Sequence, residues 1–496
     1  MKKILIVILL TLLLFSCSNE KAKDTINVAL SQEMPTLDVH RNSSQVIRYI
    51  LCGNTLERLI DLDENGNIVT TLAKSYSQNN GGRKWSFIIK DDVMLHNGRV
   101  MDSEDVVLSL NRWIEYYPAI KKIAGSSRFS ANKNEVFIEF DNPVIFFDQI
   151  MASSPYAAVV IAKEALEKTD DKGFLTSYIG TGPYVFEKYE SGQAVTLKRF
   201  ENYKGEKLAK VETIKYHFVP DSVVRTLGCE SGKYDFINDV MSSDFERLKK
   251  NDDLVLSLGD EAGSFVLLFN KKGPLSKENY IRSAVNYALD LNGVMKSCYG
   301  DEGYTLNPSY MEAWQKIWLV DGLEEYYNLN DKEKAKEILA ENGYDDSVFT
   351  ILTSNLSNMD KSALFIKDEL EKIGMKVEVI IVDWSTMMAY RSDPNKYDLC
   401  ITAMTSVPVP SLKLYFDPEY AGWSDDEKLQ NLLKDFNSSE DLSSALKIWE
   451  EIQIYSFKYL PVIVSGHYNS GYLYRKELKG VIENNGFYFY NAYFKN

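Results

Sequence analysis

Three observations predict a mixed α/β protein built from more than one lobe. Strand and helix signals alternate along the whole chain instead of segregating into blocks. A strand-helix-strand unit can be read between Phe349 and Ile381. The 496 residues also exceed the roughly 250 to 300 at which a single core stops growing, so two or three domains are expected.

Taken in chain order, Lys2 and Lys3 precede a predominantly apolar stretch from Ile4 to Phe15, and the small Ser16 follows. This is the layout of a secretory signal peptide, and the stretch is shorter than the roughly 20 residues a spanning helix needs. Asp102 is expected to start a helix, with Asp105 near the positive end of its dipole and Pro118 beyond its end. Asp331 can cap a second helix, in which Ala335, Ile338 and Leu339 form the apolar stripe and Gly343 marks the end. Phe349 to Thr353 reads as a strand. A helix from about Asp360 carries Ile366, Leu370 and Ile373 on one face and stops at Gly374, and Val377, Val379 and Ile381 alternate as the next strand. Stripes at this spacing are core faces and carry no cofactor role.

An apolar fraction of 45% and a charged fraction of 26% are those of a soluble globular protein. The net charge of -15 repels a phosphate backbone, so no nucleic-acid partner is expected. His40, His96, His217 and His467 lie far apart without an i, i+4 ligand pair, so no metal site built from side chains and no cofactor are expected; a bound metal would arrive as a chelate. Cys52, Cys229, Cys298 and Cys400 show no CxxC or Cys/His spacing and read as small buried hydrophobes, with any disulfide left open. No G-x-S-x-G, H-E-x-x-H or phosphate-cradling loop is present. The chain is therefore expected not to be an enzyme, and a secreted hydrolase stays open only through scattered residues that meet in space.

Leu14, Phe15, Ser16 and Cys17 resemble the lipobox of bacterial lipoproteins, which implies cleavage before Cys17 and attachment of a diacylglyceryl group to its sulfur. Acyl chains add about 0.8 kcal/mol per buried methylene, and more than one chain anchors stably. The polar run Ser18 to Lys23 would be the tether.

A second resemblance runs nearly from end to end. Pro35 to Asp38, Thr55 to Leu62, Trp85 to Lys90 and Ser103 to Leu110 come in sequence, followed by the turn Gly180-Thr181-Gly182-Pro183-Tyr184. Ser231 to Asp235, Ala284 to Asp290, Gly343-Tyr344 and Val382-Asp383-Trp384 then follow in the same order. In these segments the chain resembles the family 5 solute-binding proteins of ABC importers, which include dipeptide, oligopeptide and nickel binders. The resemblance implies a two-lobed periplasmic-binding-protein type II clamp with an extra domain, mixed sheets and a two-strand hinge. The implied division is 1–16 signal peptide, 17–25 lipidated tether, 26–65 with 175–264 and 466–496 as lobe I, 66–174 as the extra domain, and 265–465 as lobe II. Phe265 to Asn270 and Leu460 to His467 are the expected hinge strands.

The implied function is that of an extracytoplasmic lipoprotein, monomeric and held to the bacterial membrane by its lipid. It would close on a small solute and deliver it to ABC permease subunits. A short peptide ranks first, then a nickel or other metal chelate, then another polar organic solute such as a small oligosaccharide or an opine-like compound; a sensing role shares every feature. Where peptide-binding relatives carry an Asp-Pro-Asp anchor, this chain reads Ser406 to Ser411. Neither Thr353-Ser354-Asn355 nor Ser153 to Tyr156 supplies the family's arginine. An uncharged pocket with aromatic walls is therefore expected. The candidate contacts are Tyr156, Asn270, Trp384, Tyr415 and His467. Each also fits a packing role: Asn270 as a strand-end cap, Trp384 and Tyr415 between lobes, Tyr156 in a core, and His467 as a structural histidine. Arg391 is expected on a solvated helix face.

Overall fold

The structure, a computed structural model, describes residues 23–63, 65–153, 156–483 and 486–495. The expected signal peptide 1–16 and lipid-bearing Cys17 lie outside the described residues. Of the expected tether, Thr25 already stands in a strand, paired with Thr213, and Lys23 binds Asp235.

One lobe is built on a seven-stranded sheet. Its order is Leu254–Ser257, Tyr472–Arg475, Phe236–Ile237, Thr25–Leu30, Thr213–Phe218, Ala194–Arg199 and Tyr184–Glu190. Thr25–Leu30 runs parallel to both of its neighbours, and Ile26, Val28, Ala29 and Leu30 are all fully buried. A run buried on both faces is what a central parallel strand requires. The other lobe has a six-stranded sheet in the order Tyr304–Thr305, Val462–Asn469, Glu261–Phe269, Leu399–Thr405, Val348–Ser354 and Lys376–Val382. The last two strands pair in parallel, Ile351 opposite Val379, and are joined by the helix Met359–Glu371, whose Ala363, Ile366 and Leu370 are buried in the core of this lobe. The strand-helix-strand unit read from the sequence is therefore present.

A third unit is a four-stranded antiparallel sheet, Ala73–Asn79, Lys84–Ile89, Glu135–Phe140 and Ser127–Asn132, packed against the helix Ser103–Glu115. That helix starts with a reciprocal cap. The Asp102 carboxylate accepts from the Asp105 amide at 3.1 Å, and the Asp105 carboxylate accepts from the Asp102 amide at 2.9 Å. Two otherwise orphaned amides are satisfied in this way. Replacing Asp102 with alanine is expected to destabilise the protein by about 1 kcal/mol in urea unfolding, with Asp102→Asn losing less. This unit shares a continuous apolar core with the six-stranded lobe. The Phe146 ring lies 4.8 Å from Trp318 and 5.2 Å from Phe436, flanked by the ion pairs Arg83–Glu440 and Lys122–Asp417. The four cysteines Cys52, Cys229, Cys298 and Cys400 are buried free thiols.

Strand pairing sets the edges of the second lobe differently from the sequence reading. Glu261 pairs with Asn469, so both hinge strands belong to the six-stranded sheet well beyond Phe265 and His467, and bounds at 265 and 465 would cut through paired strands. The chain passes between the two large sheets at 258–260 and 470–471. The two crossings touch, since the Asn469 side-chain amide donates to the Gly259 carbonyl at 3.2 Å.

Candidate functional site

A cavity of about 260 Å³ opens where the first lobe, the four-stranded unit and the C-terminal strands meet. Arg48, Arg58, Asp61, Ser153, Tyr488 and Tyr490 contribute to its wall. A second cavity, of about 430 Å³, shares Leu62, Asn65 and Ser153 with the first and reaches the loop Trp314 to Trp318 of the other lobe. Together they span all three units of the fold.

The wall of the first cavity is set by local chain geometry. The short helix Gln45–Leu51 carries Arg48. Gly53 then turns the chain with φ 73° in the left-handed region, a conformation that glycine adopts without steric cost. The segment after it is held from behind by the turn at Gly180 to Tyr184. The Gly182 amide donates to the Thr55 carbonyl at 3.1 Å, and the Tyr184 amide to the Asn54 carbonyl at 2.9 Å. Arg58 follows, only 4% exposed, with Nη1 on the Asp61 carboxylate at 2.8 Å. Arg48 is 5% exposed, and among the described residues it forms no ion pair; its Nε has no hydrogen-bond partner.

The loop lining the second cavity is pinned to the hinge. The Trp314 indole donates to the Glu261 carbonyl at 3.0 Å, the Gln315 amide to the Val407 carbonyl at 2.7 Å, and the Trp318 indole to the Pro408 carbonyl at 3.0 Å. Glu312, two residues before Trp314, is fully buried on Lys413 at 2.8 Å. Ser264 and Ser406 hydroxyls also donate to Glu312, at 3.1 and 2.9 Å. The segment Ser406 to Lys413 thus faces a carboxylate supplied from elsewhere in the chain.

The residues singled out in the sequence are not gathered around these cavities. Asn270 closes its strand end, donating to the Pro394 and Tyr397 carbonyls at 2.7 Å each. Tyr415 is 1% exposed in the large core, its hydroxyl directed at the Tyr310 carbonyl. Tyr156 stacks on Tyr117 at 4.7 Å. Trp384 is the first residue of the helix Trp384–Arg391 and is 38% exposed. His467 is the one placed at the hinge, fully buried, with Nε2 3.1 Å from the Ser309 carbonyl and Nδ1 3.8 Å from Glu312. Arg391 is 8% exposed beneath the Tyr420 ring, and so is not on a solvated face. The cavity wall is charged, in contrast to the uncharged pocket expected. Its charged residues Arg48, Arg58, Asp61 and Asp63 were not among the candidate contacts read from the sequence. The one signal that could have found them is Arg48 itself, an arginine inside the apolar run Val46 to Leu51, where a buried charge needs a reason.

Residues 67–423 match the family model described as bacterial extracellular solute-binding proteins, family 5, middle. The oligopeptide-binding protein AppA of Bacillus subtilis (strain 168) is 25% identical over 446 residues, covering 81% of this chain and 80% of its own. The glutathione-binding protein GsiB of Escherichia coli (strain K12) is 25% identical over 390 residues, 75% of this chain and 72% of its own. Among solved structures, the ABC transporter substrate binding protein CtaP of Listeria monocytogenes superposes with a TM-score of 0.83 at 19% identity, covering 96% of this chain and 100% of that one. That likeness shows the fold, the two-lobed type II clamp of periplasmic binding proteins.

Proposed function

Because the chain belongs to family 5 of the bacterial extracellular solute-binding proteins, we propose that it captures a short peptide between its two large lobes and passes it to the permease of an ABC importer. It is a binding protein and not an enzyme. The observation that carries the reading is the pair of adjacent cavities walled by both lobes and the four-stranded unit. Closure around a solute works when the closed form binds it more tightly than the open form, and only that difference shifts the population. The peptide assignment is supported by the relatives named for oligopeptide and glutathione binding.

The remaining parts of the reading rest on the N-terminal sequence. Cleavage before Cys17 and lipidation of its sulfur would tether a monomeric binding domain outside the membrane through Ser18 to Lys23. Among the described residues no helix is long and apolar enough to cross a membrane.

Native mass spectrometry of the chain from Ser18, purified from a bacterial host, tests the assignment when followed by thermal-shift titration with di- and tripeptides, nickel-histidine and sugars. A retained peptide mass and a melting temperature that climbs with peptide concentration are expected, as mass action requires. A shift with nickel-histidine or a sugar and none with peptides would move the solute to another class and leave capture by closure standing.

A further inference from the structure

We propose that Arg48, with Arg58 beside it in the same wall, binds a carboxylate of the captured solute, so that the ligand is a small organic monoanion such as the C-terminal end of a short peptide. This deepens the reading above and rests on it. The argument begins with an unbalanced charge. An arginine side chain keeps its proton under all ordinary conditions, and burying its charge without a counter-charge is costly. Arg48 is 5% exposed and lines the cavity, yet among the described residues it has no ion pair and its Nε has no partner.

Among the described residues, the acids in the same wall are already committed. Asp61 is bridged to Arg58 at 2.8 Å. Asp63 folds back on its own turn and accepts from the Asn65 and Asn67 amides at 2.8 Å each, and from the Asn67 side chain at 3.0 Å. Among the described residues no acid is thus left for Arg48, and its positive charge can serve something that enters the cavity. The two arginines and Asp61 converge on one phenol: burial raises the pKa of Tyr488, while Arg58 and Arg48 oppose that rise and Asp61 adds to it.

A monoanion fits this balance better than phosphate or sulfate. One uncompensated cation neutralises one charge, and a second negative charge would stand unpaired beside Asp61 and Asp63. Guanidinium and carboxylate also match as a planar fork. The small cavity can take the carboxylate end, and the larger one, which shares Leu62, Asn65 and Ser153 with it, can take the remainder beside Trp314 and Tyr76. The same chemistry would hold a peptide terminus or a non-peptide organic acid.

The test uses the chain from Ser18, its R48M and R48K variants, and native mass spectrometry against one mixture. The mixture holds di- and tripeptides, the same peptides as C-terminal amides, simple organic acids with their amides, and neutral sugars. Free acids are expected to bind at least about tenfold more tightly than their amides, the range for losing a charge-assisted hydrogen bond. R48M should bring acid and amide to parity, and R48K should restore part of the difference. Retention of peptides or of other acids identifies which source supplies the carboxylate. Equal binding of acids and amides by the wild type, or discrimination that survives in R48M, would overturn the inference and leave solute capture intact, as would retention of sugars alone. Retention of nothing would overturn both. Melting without ligand separates a structural role: R48M should melt at or above the wild type because an unpaired buried charge is removed, and a clear fall would show that Arg48 holds the fold instead.

Discussion

Replacing Lys413 with methionine is expected to lower the unfolding free energy by about 3–5 kcal/mol, the usual consequence of removing one partner from a buried ion pair. Lys413 and Glu312 are 2% and 0% exposed, with Nζ 2.8 Å from Oε1. Without the ammonium, the Glu312 carboxylate keeps only the hydroxyls of Ser264 and Ser406, at 3.1 and 2.9 Å, and His467 at 3.8 Å. These partners come from both hinge strands and from the segment that follows Leu399–Thr405, so the loss should loosen the region where the lobes are joined. Removing both charges, as in E312M with K413M, should recover most of the deficit, because two apolar side chains leave no orphaned charge. Urea unfolding of the two single variants and the double variant measures this directly. A K413M deficit under about 1 kcal/mol would mean that the pair contributes little.

The same pair sets an acid limit. Burial pushes the Glu312 carboxyl upward, but Lys413 and His467 outweigh it and hold the group well below the ordinary carboxylate range. A depressed value stabilises the folded state above the unfolded-state value of about 4.3, and that contribution is lost as pH falls toward the folded value. Stability from this site should be flat from neutral pH down to about 5 and decline below it. In E312M/K413M the decline should be shallower.

What could be read from the sequence was local. Asp331 was readable as a cap and Asp102 as a helix start because such signals need only residues a few positions apart, and both carboxylates accept from amides of the first turn. The unit from Val348 to Val382 was readable because β-branched alternation and a helical stripe are periodic signals. The charges that shape the cleft obey no period. Lys413 finds Glu312 across 101 residues, and nothing near either position announces the other. Arg391 was expected on a solvated helix face, but it lies one turn after the buried Met387 and under Tyr420, which arrives from a loop that helical periodicity does not encode. The hinge strands were found by their apolar cores and misjudged at their ends. Glu261 continues its strand because Asn469 pairs with it and the Trp314 indole takes its carbonyl.

Alanine at Gly182 is expected to be among the most damaging small substitutions in the chain, at about 3 kcal/mol, and alanine at Gly180 should match it. The reason is close approach of main chain to main chain. A Cβ on Gly182 would stand 2.3 Å from the Asn54 carbonyl oxygen, and one on Gly180 would stand 2.1 Å from that of Thr55. Neither obstacle can rotate away, since both are backbone atoms held by the Gly182–Thr55 and Tyr184–Asn54 hydrogen bonds. Gly192 supplies the comparison. It sits at φ 71° with nothing near its missing Cβ, so G192A should cost only the left-handed penalty of about 1 kcal/mol. The family's glycine turn thus has a mechanical role here: it lets one strand lie flat against Asn54 and Thr55, and it fixes the register of the segment that presents Arg58 and Asp61. If G182A folds at all, its displaced segment should weaken ligand binding together with stability. R48M, by contrast, should weaken binding alone, so measuring both quantities for both variants separates the support of the site from its chemistry.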